Sequence, residues 1–476
     1  MNKITVIGLG VDKKDLSSYA ENIIKSGVKI IARTGLTESY KNLSTMVSNI
    51  STLDFVYEKS RNFDTLNKNL ANEVLAVAKN QPVCYLVDGC ATEDNSVKYI
   101  LSKTKNVEVI AGVSYASKCL ERLCVCESRY TALSAYEIED VKSLTAPLVV
   151  YAIDSKITAS KVKLCLCDLF GEESKVFVSC NNENKSIYLY ELDRLNSYDY
   201  STCVYIPSIP LTQKERFNFD DLLEILAILR SPNGCPWDRE QTEKSILKNV
   251  VEEAYELVDA VNQEDDFMIV EETGDLILQS AFYILFGEEG SRYNRADVLS
   301  DLCKKLITRH THVFGEDKAV KSSDALSVWN NNKIVEKGYD TGADYLNAVP
   351  SSMPSLMRAE KVGKRAKKYN FDFENYTQAT DKILEEIDEL KRAIKGGNSE
   401  EIQKECGDLL FSAVNAVRLV GVDAELSLKY SIDKFIKRFS SVEKQVLNLG
   451  KEMADFTPLE LDEIYNKVKS GEENDN

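Results

Sequence analysis

Histidine is nearly absent from this chain, with two residues in 476, and tryptophan is equally rare. Neither His310 nor His312 falls in an acidic motif. An imidazole-based metal centre or acid–base relay is therefore not the expected chemistry, and a structural or surface role is expected for both. Twelve cysteines are present, yet no C-x₂-C pair seeds a zinc site. The closest pairs, Cys124/Cys126 and Cys165/Cys167, are both C-x-C. Reduced thiols used as small apolar side chains are the expectation. Positive charge is also short: 59 Lys and Arg against 76 Asp and Glu give −17 at pH 7. That argues against a surface built to coat nucleic acid, which must displace counterions. It leaves nucleotides open, because a bound divalent cation reverses the local sign. No apolar run reaches membrane-spanning length, and Ile4-Thr5-Val6-Ile7 begins directly as a strand where a secretory leader would stand. The expectation is a cytoplasmic protein without membrane contact.

What is present divides the chain in two. Up to about residue 210, short apolar runs alternate with helical patterns. Ile4 to Ile7, Val28 to Ala32, Val83 to Val87, Val107 to Ile110 and Leu148 to Ile153 read as strands, while Thr65 to Lys79 and Asn95 to Lys103 have helical spacing. This alternation predicts an α/β domain with a largely parallel sheet. Glycine follows several strands, in Gly8-Leu9-Gly10, Asp88-Gly89-Cys90 and Ala111-Gly112-Val113-Ser114. Such loops sit at the carboxyl ends of strands, where open sheets bind ligands, although a lone G-x-G reads equally as a tight turn. Residues 207–220 hold two of the nine prolines and several charges, as a linker would. Beyond them amphipathic helices take over: Asp220 to Leu229, a break at Ser231-Pro232-Asn233-Gly234, then about 243–261 and about 267–286.

Two acidic sets dominate this second half. Glu252-Glu253-Ala254-Tyr255-Glu256 is followed by Glu272-Thr273-Gly274-Asp275. On a wheel of ~100° per residue, Val250, Val251, Ala254, Tyr255 and Val258 fill one arc. Glu253 and Glu256 lie just beyond its edge, toward the packed side, and Glu252 points to solvent. Glu272 and Asp275 open a run, Leu276 to Ile284, that is apolar nearly all round and reads as a core helix. Carboxylates converging there cannot neutralise one another, and burying them bare costs several kcal/mol or more. They need a cation, and an all-oxygen ligand set suits Mg²⁺ or Mn²⁺ rather than zinc. The matching chemistry is hydrolysis of a phosphate ester or anhydride with the metal activating water. A single E-E-x-x-E is ordinarily a solvated helix face. Here Glu386, Glu389, Glu405 and Asp408 each lie 133 positions after Glu253, Glu256, Glu272 and Asp275, and Leu409 to Val414 again reads as a core helix. Internal repetition carries the metal reading.

Two family resemblances follow. With ITVIGLG, YLVDG, VEVIAGVSYAS and VYAIDSKITASKVKL, residues 1 to about 210 resemble the tetrapyrrole methylase-like domain. The resemblance implies S-adenosylmethionine between two α/β lobes, at Gly8, Gly10, Asp88, Gly89, Gly112, Val113 and Ser114. The family's proline-bearing loops are replaced by Gly8-Leu9-Gly10-Val11-Asp12 and Asp88-Gly89-Cys90-Ala91-Thr92, so cofactor binding is expected more than methyl transfer. With CPWDREQT, KLITRHTHVFG, MPSLMRAEKVGKRAKKYNFDF and both acidic sets, residues 216 to about 470 resemble MazG, an all-α nucleoside triphosphate pyrophosphohydrolase with two tandem repeats. The whole chain looks like the YabN-type fusion of the two.

The implied segments are 1–206 (α/β), 207–220 (linker), 221–340 (first repeat) and 341–476 (second repeat). The implied reaction is NTP and water to NMP and pyrophosphate, broad in base and suited to clearing aberrant nucleotides. The eight carboxylates would be catalytic and hold the metal. Lys305, Arg309, Trp329 and Lys333 would contact substrate in the first repeat, as would Lys434, Arg438, Tyr465 and Lys469 in the second, with cations on phosphate and the ring on the base. Asn415, where the first copy has Phe282, would present an amide to the carboxylate face and contact sugar or base. A helix pair needs a partner to complete a four-helix core, which the two repeats could supply within one chain or between chains; a homodimer is the expectation. Two other functions stand beside this one. They are a methyltransferase with a helical accessory, and a cofactor-sensing first domain that regulates the helical half.

Overall fold

The structure is a computed structural model and describes residues 1–140, 143–180 and 183–474. It divides into two compact units, Met1–Arg295 and Ala296–Asn476.

In the first unit, strands β1 (Ile4–Gly8), β2 (Lys29–Ala32), β3 (Ile50–Thr52), β4 (Val83–Val87) and β5 (Val107–Ile110) form one sheet in the order β3-β2-β4-β1-β5. Every pairing in it is parallel. Side chains alternate between its faces at period two. Ile4, Val6, Val83, Tyr85 and Val87 join the core on one face, and Ile7, Cys84 and Leu86 the core on the other. Both faces are buried, so these strands read as unbroken apolar runs and are legible in sequence.

A second sheet contains β6 (Thr131–Ser134), β7 (Leu148–Tyr151), β8 (Lys175–Cys180), β9 (Glu183–Tyr188) and β10 (Cys203–Ile206) in the order β6-β7-β10-β8-β9. Only β6–β7 is parallel, and the other three pairings are antiparallel. The expected largely parallel sheet is thus right for the first lobe and wrong for the second. The edge strand β9 (ENKSIY) has no buried residue, so it lacks the apolar signal that marks the others.

The helical part of the first unit centres on a hairpin, α1 (Leu247–Asn262) and α2 (Asp266–Glu289). Asp265 caps α2, its side chain accepting from the N–H groups of Phe267 and Met268. Phe282, Leu285 and Phe286 at the far end of α2 pack with Leu223, Leu226 and Ile246.

The second unit is all helical. Its members include α3 (Arg295–Arg309), whose first residue closes the first unit, α4 (Ser322–Lys337), α5 (Ser355–Ala366) and α6 (Tyr376–Gly396). They continue with α7 (Ser399–Leu419), α8 (Ala424–Asn448) and α9 (Pro458–Asn474). α6 ends on Gly397 at φ 73°, a left-handed stop that glycine adopts without strain, and Asn398 caps α7. No helix among the described residues is long and apolar enough to cross a membrane.

Candidate active site

The α1/α2 hairpin brings Glu253, Glu272 and Asp275 together, with one carboxylate oxygen of each within 4.8 Å of the others. The α6/α7 hairpin does the same for Glu386, Glu405 and Asp408. The i, i+3 spacing sets the two acids of the second helix on one face, one turn apart. Glu256 and Glu389, the fourth acids of the two motifs, stay outside these triads; Glu256 is exposed and Glu389 half-buried. Glu256 still acts through its charge. Burial, then Asp275 and Glu256, hold Glu253 above the usual carboxylate range. Burial, then Glu256 and Asp275, do the same to Glu272.

Glu272 is 7% exposed and Glu386 4%. Glu272 Oε2, Glu386 Oε2 and Glu405 Oε2 are buried with no hydrogen-bond partner. A buried carboxylate oxygen without a donor costs about 1–3 kcal/mol or more. Three such atoms, each in an all-oxygen triad, fit a hard divalent cation.

The surroundings of the triads correct the helical-wheel reading. The buried side of α1 is the one carrying Glu253, Leu257 and Ala260, whereas Val251, Ala254 and Tyr255 of the predicted packed arc are exposed. In α2, Glu272, Gln279 and the stretch from Ala281 to Gly287 are buried except for half-buried Tyr283, while Val270 and Ile277 are exposed. α7 departs further from a core helix: Ser412, Val414, Asn415 and Arg418 are buried, and Leu410 and Phe411 face out. The sets therefore face their own hairpin partner, and apolar residues on other faces of these helices, among them Val251, Val270, Ile277 and Leu410, are exposed.

The predicted substrate residues are placed as follows. Arg309, 4% exposed, is gripped by Glu336 through Nε–Oε2 (2.7 Å) and Nη2–Oε1 (2.9 Å) and lies 5.1 Å from the Trp329 ring. This bidentate contact braces α3 against α4 through one edge of the guanidinium. Lys333 sits on the same ring at 5.1 Å. Burial, then Arg309 and Arg365, hold its ammonium below the usual lysine value. Lys305 is half-buried on the Arg309 face of α3. In the second repeat Arg438 lies 5.9 Å from the Tyr465 ring, which also packs on Phe435. Lys434 and Lys469 are exposed. Asn415 is corrected. Its Oδ1 accepts from Arg418 Nε (3.2 Å) and Nη2 (3.0 Å), and its Nδ2 donates to Phe411 O. Arg418 in turn pairs with Asp372, so the amide is tied into a buried network rather than offered to the carboxylates.

Two lysines escaped the sequence reading. Lys382 Nζ lies 2.9 Å from Glu386 Oε1, and Lys404 Nζ 3.4 Å from Glu405 Oε1. The i, i+4 spacing of Lys382 to Glu386 was the available signal.

In the first lobe the glycine loops meet one another. Gly10 N donates to Gly89 O (3.1 Å) and Gly89 N to Gly10 O (2.9 Å). A Cβ on Gly8 would lie 1.8 Å from Ala111 O, and one on Gly112 would lie 2.6 Å from Gly8 O. Asp88 Oδ1 accepts from Thr37 and Ser39, and Ser114 caps the helix Tyr115–Leu123 next to Val113. The backbone freedom is used for loop-to-loop packing, and the Gly10 and Gly89 donors are occupied. The loops are thus held against one another by backbone contacts at Gly8, Gly10, Gly89 and Gly112. The open space nearby is a polar cleft of about 410 Å³ lined by Asp12, Lys41, Arg122 and Tyr200 among others.

Comparison with known proteins separates the two halves. The MazG nucleotide pyrophosphohydrolase domain matches residues 241–314 and 374–447, one match over each acidic set. A nucleoside triphosphate pyrophosphohydrolase of Escherichia coli K12 is 38% identical over 256 residues, covering 53% of this chain and 97% of that protein. The chain belongs to the MazG nucleotide pyrophosphohydrolase family. It is a nucleoside triphosphate pyrophosphohydrolase, a hydrolase acting on phosphoric anhydrides. An uncharacterized Bacillus subtilis protein, YabN, is 29% identical over 489 residues and 99% of both chains, so the fusion of the two halves is shared. The uroporphyrin-III-C-methyltransferase structure from Thermus thermophilus overlaps 43% of this chain and 94% of its own, at 13% identity and a TM-score of 0.34.

Proposed function

We propose that this MazG protein is a Mg²⁺-dependent enzyme in which Glu253, Glu272 and Asp275, and separately Glu386, Glu405 and Asp408, hold the cation. The observation that supports this most is the set of buried, donorless oxygens on Glu272, Glu386 and Glu405. When bound, the cation supplies charge for the polyphosphate and lowers the pKa of water at neutral pH. The remaining steps belong to the side chains. Glu256 and Glu389, beside the triads, keep the site acidic and accept the proton from attacking water. Lys434, Arg438 and Lys469 balance the charge that develops on the departing phosphates. Trp329 and Tyr465 offer flat faces to any base, in keeping with broad base preference and a nucleotide-cleansing role. Water oxygen bonds to the α-phosphorus, the α–β anhydride bond breaks, and NMP and pyrophosphate leave.

The protein is proposed to act as a homodimer in the cytoplasm. Val251 and Tyr255 on α1, and Phe435, Ile436 and Phe439 on α8, are exposed apolar stripes that a second copy would cover. Twelve free cysteines suit a reducing compartment. Segments 1–206, 207–220, 221–340 and 341–476 are proposed as its modules. Product analysis of an NTP panel with Mg²⁺ tests the reaction. Pyrophosphate with NMP is expected, and orthophosphate with NDP overturns it.

A further inference from the structure

The two carboxylate sets have the same spacing and opposite surroundings. Each site of the second repeat has a counterpart 133 positions earlier, so neighbours compare directly. In the second set Lys382 bonds Glu386 (2.9 Å) and Glu385 (2.9 Å), Lys404 reaches Glu405 (3.4 Å), and Arg392 bonds Glu389 (3.1 Å). At the matching positions the first set has Asn249, Glu271 and Asp259. Among the described residues of its own unit, no Lys or Arg forms an ion pair with Glu253, Glu256, Glu272 or Asp275. The neighbouring Lys248 is turned to Glu252 instead. A neutral side chain is bonded to that set: Gln279 Nε2 reaches Glu253 Oε1 at 3.4 Å, where the second repeat has Ser412. Among the described residues of each set's own unit, four carboxylates thus face three cations in the second set and none in the first.

Divalent-cation affinity rises with the net negative charge of the ligand set. A cation beside the set offsets part of that charge and lowers the affinity, less where it is exposed to solvent, as Lys404 and Arg392 are. We infer that the two sets load unequally. The first takes a divalent cation from solution unaided, and the second takes one only as a metal–nucleoside triphosphate complex. In the second set Lys382 and Lys404 already supply the charge that a bare cation would bring. A cation chelated by a polyphosphate carries anionic oxygens with it, and these compensate the same lysines. Glu386 Oε2 and Glu405 Oε2 remain free of the lysines for that purpose. Lys382 and Lys404 are then the residues that set how the second site is loaded. This inference rests on the carboxylate reading above.

Mn²⁺ titration of the full chain, followed by the electron paramagnetic resonance of free Mn²⁺, tests it without turnover. With Mn²⁺ alone, a tight class of sites is expected, with the rest at least about tenfold weaker. E272Q should remove the tight class and E405Q should leave it. Adding α,β-methylene adenosine triphosphate should then recruit the second class, and E405Q should block that recruitment. K382N with K404E should tighten the second class at least tenfold with no nucleotide present. The reciprocal N249K with E271K should weaken the first class by a similar factor, which keeps the test open if the first pair misfolds. Equal affinity at both sets, or a tight class lost in E405Q instead of E272Q, overturns the inference and leaves the metal reading intact. No Mn²⁺ binding at either set under any condition overturns both.

Discussion

The two carboxylate hairpins were built on one pattern and stabilised by different means. In the first, Glu253 and Glu272 hold their protons above the usual carboxylate range, because burial and the neighbouring acids oppose ionisation. In the second, Lys382 is pushed upward, first by its hydrogen bonds to Glu385 and Glu386. The same contrast runs about two turns further along each second helix. Phe282 in α2 packs against Phe286 in an apolar cluster, whereas its counterpart Asn415 in α7 is tied to a buried Arg418–Asp372 pair. A motif that matches position for position can therefore sit in two different electrostatic settings. The motif fixes which atoms can hold a cation, and the residues around it fix what the cation must displace.

The comparison breaks most sharply with the paired variant E253Q with E386Q. Pyrophosphate release from NTPs should fall roughly 10³-fold or more. The single variants measure how the activity divides between sets, and unchanged turnover in the double variant removes the carboxylates from the mechanism. The next effects are on stability. Asp372→Ala strands a guanidinium whose side chain is 4% exposed, and should cost about 3–5 kcal/mol in denaturant unfolding. Phe282→Ala at the matched position should cost about the same for a different reason, an apolar cavity. A loss under about 1 kcal/mol in either would show that the scaffolds are more forgiving than their burial implies.

A smaller difference concerns pH. A carboxyl raised in the folded state binds its proton more tightly there than when unfolded, so stability falls as pH rises from the unfolded value through the raised one. Metal-free wild type should therefore lose Tm relative to E272Q as pH rises from about 4 toward neutrality. Saturating Mn²⁺ should cancel the loss, and parallel pH curves for the two proteins contradict it. The smallest expected effect is at an exposed pair of the second hairpin. Lys391→Ala, removing the contact to Asp388, should change stability by about 0–1 kcal/mol. A larger change would mean that this helix surface is covered in solution.

Much of the site was legible because its signals are local. The i, i+3 acids, the repeat at 133 positions and the doubly apolar strands β1, β2 and β4 all follow from neighbours along the chain. Strands β3, β6, β8, β9 and β10 were missed because short or one-sided strands borrow their stability from sheet partners distant in sequence. The packed face of α1 was misread because its apolar arc, Val251, Ala254 and Tyr255, is not what this chain buries. Asn415 looked like a substrate contact until Arg418 was found on it. By itself the sequence determined the α/β-then-helical order, the two carboxylate sets and the chemistry their oxygens suit, since these depend on residue type and short-range spacing. Only the tertiary structure decided which three acids of each four converge, which cations are already engaged, and that the glycine loops clasp each other. Those outcomes depend on side chains brought together from distant positions, where Coulomb and packing energies act over distance in space rather than along the chain.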